Sequence, residues 1–113
     1  MKYVLLIYQA WDALADLSKD ELKASYADYA AINKTPGVSP GLPLGLPENA
    51  RTVKVQNGKT VTTGGPFVGR KEAVGGYIVL DADDIDAATE VAARIPAARL
   101  GGAIEIRPAE TYW

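Results

Sequence analysis

Residues 64 to 81 constrain the fold of this chain most. Gly64-Gly65-Pro66 is a turn signal, Arg70-Lys71-Glu72 a short charged bend, and the glycine pair Gly75-Gly76 releases the apolar run Tyr77 to Leu80. A short apolar run bounded by turn residues reads as a buried strand. Asp81, Asp83 and Asp84 close the run where a helical pattern begins. The stretch is therefore a turn, a bend, a central strand and the entry to a helix.

The rest of the chain falls into place around it. Val4, Leu5, Leu6 and Ile7 are apolar without alternation, as in a strand covered on both faces, so Tyr3 to Tyr8 is a first strand. Gln9 to Leu17 is a loop, with Trp11 and Leu14 folded back on the core. Ser18-Lys19-Asp20-Glu21 fits a capping box. Leu22, Tyr26 and Tyr29 follow at helical spacing, and this helix should end near Asn33 or Lys34, ahead of Pro36. Thr35 to Ala50 carries four prolines and is a connection with one weak edge strand near Gly41 to Leu44, or a polyproline segment offered to a partner. Arg51 to Gln56 alternates, Asn57-Gly58 is a hairpin turn, and Lys59 to Thr63 returns. After the central strand, Asp83 or Asp84 caps a second helix with Ile85, Ala88, Ala92 and Ile95 on one face. Pro96 stops it, Ala97 to Gly102 is a loop, and Ala103 to Pro108 is the last strand.

The order is strand, helix, weak strand, hairpin, strand, helix, strand. Without the hairpin this is the split βαβ pattern of a ferredoxin-like α+β fold, one domain over residues 1–113. Its helices cover one face of the sheet only. The strands nevertheless read apolar on both faces, so the open face needs a cover, and a second copy of the same sheet is the simplest one. A homodimer is the expected state.

Composition limits the chemistry. The chain has no cysteine and no histidine, which removes thiol nucleophiles, thiolate zinc sites and the usual neutral-pH acid/base. A net charge of −2 presents no basic surface for nucleic acid. No apolar run is long enough to span a membrane, and the start lacks a secretory signal, so a cytoplasmic location is expected. Gly58-Lys59-Thr60 lacks the upstream glycine of a phosphate loop, and the acidic run from Asp81 fails the calcium-loop spacing. No metal or other cofactor is expected.

Glu105 and Arg107 lie two apart on the last strand and share one face, while Ile104 and Ile106 take the other. On the sheet face away from the helices, with Tyr77, they form either a site for a small anionic ligand or an interface ion pair. Phe67 on the turn and Lys71 on the charged bend complete the candidate ligand-binding set. No catalytic residue is assigned.

Several ordered motifs resemble one family. Gly65-Pro66-Phe67, Lys71-Glu72, Gly75-Gly76-Tyr77, Asp81-Ala82-Asp83-Asp84-Ile85-Asp86, Ala92 to Arg99 and Glu105-Ile106-Arg107-Pro108 are similar to the DGPF branch of the YCII-related proteins, as is the opening Met1 to Tyr8. The resemblance implies a dimeric α+β barrel, two ferredoxin-like sheets face to face with a cleft between them. It implies a small bacterial protein, a non-catalytic or uncharacterised homodimer with a small-ligand cleft. Alternatives are an enzyme with lyase- or isomerase-like chemistry on a small organic acid, and an interaction protein of a sigma-factor system. The aspartate of the DGPF motif is Gly64 here. The His–Asp pair of the enzymatic relatives has no counterpart in a chain without histidine.

Overall fold

The computed structural model describes residues 1–110; Thr111, Tyr112, Trp113 and the Glu72 side chain lie outside the described residues. Among the described residues, six strands and four α-helices follow one another as β1 (Lys2–Tyr8), α1 (Trp11–Ala15), α2 (Lys19–Asn33), β2 (Val38–Pro43), β3 (Arg51–Gln56), β4 (Lys59–Gly64), β5 (Val74–Asp81), α3 (Ile85–Ala93), α4 (Pro96–Arg99) and β6 (Ala103–Pro108). The main sheet has the order β2-β5-β1-β6, and β3-β4 forms a separate two-stranded sheet. Its strand pairs are antiparallel. This is the ferredoxin-like α+β arrangement with an inserted hairpin.

Strand alternation sorts the residues. Tyr3, Leu5 and Ile7 of β1 are buried, as are Ile78 and Leu80 of β5, and they meet Ile32 of α2, Ala88, Val91 and Ala92 of α3, and Ile95 between α3 and α4 in one core. Burying a side chain such as Leu5 contributes about 1.5–3 kcal/mol. The intervening residues Val4, Leu6, Tyr8 and Val79 are half-buried and point to the face that carries no helix.

The start of α2 follows from its capping box. Ser18 Oγ accepts from the Glu21 amide at 3.1 Å, and the Glu21 carboxylate accepts from the Ser18 amide at 3.3 Å. Asp84, rather than Asp83, caps α3 by accepting from the Ala87 amide at 2.8 Å. Asn57 and Gly58 both adopt positive φ, 53° and 75°, the geometry of a two-residue hairpin turn.

Four expectations need correction. Gln9 to Leu17 is not all loop, because Trp11–Ala15 forms α1. Gly75 and Gly76 belong to β5 rather than preceding it. Ala97 to Gly102 is not all loop: Pro96 opens α4 at its first helical position, where its missing N–H costs nothing. Ile85 is half exposed instead of lining the core, and Val91 takes the buried place.

Candidate functional site

The sheet register tests the placement of the predicted site residues. Tyr77 stands opposite Leu6, and Leu6 opposite Glu105, so the three form one row across β5, β1 and β6. The next row is Ser39, Val79, Val4 and Arg107. Arg107 Nη1 lies 3.6 Å from Glu105 Oε2. The two side chains are 68% and 48% exposed, so their attraction is weakened by solvent. Tyr77 is two strand spacings from Glu105, about 10 Å. Tyr77, Glu105 and Arg107 thus share the open face. Phe67 and Lys71 do not join them. Phe67 lies on the loop after β4, 74% exposed, with Lys54 Nζ 5.1 Å from its ring centre. Lys71 sits on an exposed single turn of 3-10 helix, Arg70–Glu72. There Arg70 pairs with Glu48, and at 2.9 Å with Asp12 of α1, tying the turn to two other segments.

A second, more enclosed site lies on the opposite side of the sheet. A cavity of about 440 Å³ opens between α1, α2, the end of β2 and the start of β5. Trp11, Tyr26 and Tyr29 line its wall, with Leu14 and Leu22 among the aliphatic residues. Its polar lining includes Gln9, Ser25, Tyr26, Tyr29 and Asn33; no ionised side chain among the described residues lines it.

Local chain chemistry builds this space. Leu22, Ser25, Tyr29 and Ile32 fall at i, i+3, i+7 and i+10 on the inner side of α2. Ile32 plugs the core at one end of the helix, while the small Ser25 leaves room beneath the other. Trp11 is drawn over the cavity by α1, and its indole Nε1 donates to the Ala73 carbonyl at 3.2 Å. Gly75 allows this closure: a Cβ there would press on the Gln9 side chain and stand 3.3 Å from the Trp11 ring.

The polar groups differ in how well they are satisfied. Gln9 Nε2 donates to the Tyr29 hydroxyl at 3.5 Å. Burial raises the Tyr29 phenol above its ordinary value, outweighing the opposing effects of Gln9 and the Arg99 cation. Ser25 is only 6% exposed, and its Oγ has no hydrogen-bond partner among the described residues. A buried hydroxyl without a partner costs about 1–3 kcal/mol.

The sequence pattern placed Leu22, Tyr26 and Tyr29 on one helix face and folded Trp11 and Leu14 inward, and all five line the cavity. It passed over Ser25 and Gln9. A serine on the inward stripe of an amphipathic helix was the available signal.

A four-stranded antiparallel sheet, helices on one face and a cavity beneath the first long helix define a ferredoxin-like α+β domain. The chain belongs to the YCII-related family, whose domain model matches residues 1–111. Among solved structures it is similar to 5-chloro-2-hydroxyhydroquinone dehydrochlorinase from Burkholderia phenoliruptrix AC1100, in complex with 2,5-dihydroxybenzoquinone. That likeness has a TM-score of 0.52 at 13% identity, covers 97% of this chain and 94% of the other, and shows the shared fold. No curated protein matches the sequence. No helix among the described residues is long and apolar enough to cross a membrane.

Proposed function

We propose that the protein is a homodimeric small-molecule binding protein that holds a single-ring, uncharged organic compound in the cavity between α2 and the sheet. The carrying observation is Ser25, a buried hydroxyl without a partner on the wall of an otherwise apolar, aromatic-lined space. Ligand sites have this character: a few hundred cubic ångströms, apolar walls and a small number of convergent polar groups. A ring compound bearing a hydroxyl or carbonyl fills the apolar volume and satisfies Ser25. The compound in the structural neighbour is also a single oxygenated ring, which sets the size of suitable probes.

The wall argues for binding over acid–base catalysis. A general acid or base works best with a pKa near neutrality. The lining offers no carboxylate or amine, and Tyr29 is pushed away from neutrality. The homodimer reading rests on Val4, Leu6, Tyr8 and Val79, a half-buried apolar set on the helix-free face, which a second sheet would cover.

A second reading places a small anion on Arg107 at the open face, beside Glu105. Arg107 can offer its other edge to a carboxylate while keeping Glu105. A thermal-shift and native mass spectrometry series with phenol, hydroquinone and benzoate separates the two. The cavity reading expects stabilisation by the neutral phenols and little by benzoate. Stabilisation by benzoate alone, lost in Arg107→Lys, would instead place the ligand at the open face.

A further inference from the structure

The Tyr29 phenol is a second group of the cavity whose hydrogen bonding is incomplete. Its oxygen accepts from Gln9 Nε2 at 3.5 Å, and its own proton has no acceptor among the described residues. Tyr29 follows Ser25 by four residues on the inner side of α2, about 6 Å along the axis. Long side chains on a helix lean toward its N-terminus, over the residue four before. The two hydroxyls therefore border the same part of the cavity. They do not bond to each other, since Ser25 Oγ has no partner among the described residues. A ring that reaches Ser25 also meets Tyr29.

The bonds already in place decide what each hydroxyl offers. A phenol has one proton to donate. With Gln9 Nε2 on its oxygen, Tyr29 faces the cavity as a donor. Trp11 Nε1 is engaged by the Ala73 carbonyl. Ser25 can donate or accept, so it suits a ligand hydroxyl. Beside Tyr29 a ligand hydroxyl fits poorly: its proton would meet the phenol proton and the Gln9 amide, both donors. A buried donor left without an acceptor is destabilising. A carbonyl oxygen accepts only and brings no such proton.

We propose that Tyr29 sets the specificity of this site by donating to a carbonyl oxygen, while Ser25 holds a hydroxyl on the same ring. The ligand class is an uncharged hydroxyaryl ketone or aldehyde. The inference rests on the cavity reading and narrows it from a ring with one oxygen to a ring with two chemically different ones.

Matched probes test it. The 3- and 4-hydroxyacetophenones and the 3- and 4-ethylphenols have nearly the same shape and differ by the carbonyl oxygen. In calorimetric titration at mildly acidic pH, where all four are uncharged, the wild type should bind at least one ketone roughly fivefold or more tighter than the ethylphenol of the same pattern, the equivalent of one hydrogen bond. Tyr29→Phe, checked for folding by circular dichroism, should bring that ratio to about one and leave ethylphenol binding within about twofold. The infrared carbonyl stretch of the bound ketone should lie below its value in cyclohexane in the wild type and in Ser25→Ala, and return toward that value in Tyr29→Phe. Ethylphenols that bind as tightly as both ketones overturn the role of Tyr29 and leave the cavity reading standing. A ketone preference that survives Tyr29→Phe, or a lowered stretch that Ser25→Ala abolishes, assigns the carbonyl elsewhere and also overturns it. A wild-type protein that binds none of the four overturns both readings.

Discussion

Trp11 Nε1 and the Ala73 carbonyl, 62 residues apart in sequence, meet at 3.2 Å and fasten α1 to the loop that leads into β5. This bond fixes the lid of the cavity beneath α2. Trp11→Phe keeps a ring over the cavity and removes the donor. It should cost about 0.5–1.5 kcal/mol in a urea denaturation experiment, the range for one hydrogen bond. An unchanged midpoint would mean that α1 is held by packing alone.

Gly41 lies where β2 bulges against β5. A Cβ there would collide with the Tyr77 carbonyl and stand 2.7 Å from its ring. Backbone cannot yield as a flexible side-chain end can, so Gly41→Ala should destabilise by about 1–3 kcal/mol, as overpacking does. Amide exchange should rise at β2 before it rises at β1 or β6.

Ser18→Ala removes one half of the capping box and should cost about 1 kcal/mol of stability. Ser18 is outside the cavity lining, so ligand-induced stabilisation should be unaltered in this variant. Thermal unfolding with and without phenol measures both effects.

Tyr29 gives the site a pH signature. Its phenol is raised by burial, so the folded state binds this proton more tightly than the unfolded chain does. The associated stability is fully present below the ordinary tyrosine range and is lost as pH rises through the folded value. Ultraviolet titration should therefore show a late-ionising phenol that Tyr29→Phe removes. Asp81 has the opposite sign: the hydrogen bond from the first amino group, the charge of that group and Lys2 hold its carboxyl below the usual range. Its contribution is present above the ordinary carboxylate value and is lost as pH falls through the folded one. In an NMR pH titration, Asp81 should titrate below the usual carboxylate range.

Much of the fold was legible because local chemistry and tertiary packing agree. The capping box at Ser18, the Asn57-Gly58 turn and the alternation of Ile104 and Ile106 against Glu105 and Arg107 each act over a few residues, and each recurs in the structure. The family resemblance matched the same elements. Short helices were harder to read. α1 and α4 have five and four residues, too few to show a period, and Pro96 both ends one helix and starts the next. The cavity was half legible. Its aromatic residues lay on a visible helix face, but its depth depends on Ser25 and Gly75 being small where α2 and α1 cross the sheet. That is a property of packing between distant segments, which spacing along the chain does not encode. Phe67 and Lys71 were grouped with Tyr77 as a turn and bend beside the cleft, whereas Phe67 lies beside Lys54 of the hairpin and Lys71 sits on an exposed turn whose Arg70 pairs with Asp12 and Glu48.

Ser25→Ala, studied by denaturation without ligand and by calorimetric titration with phenol, tests the central claim most directly. Removing a buried hydroxyl that has no partner should leave the free protein as stable as the wild type or more stable, by up to about 1–3 kcal/mol. The same change should weaken phenol binding roughly tenfold, the equivalent of one hydrogen bond. A variant that is less stable without ligand and binds phenol as tightly as the wild type would show that Ser25 serves the fold, and would contradict the assignment of this cavity as the ligand site.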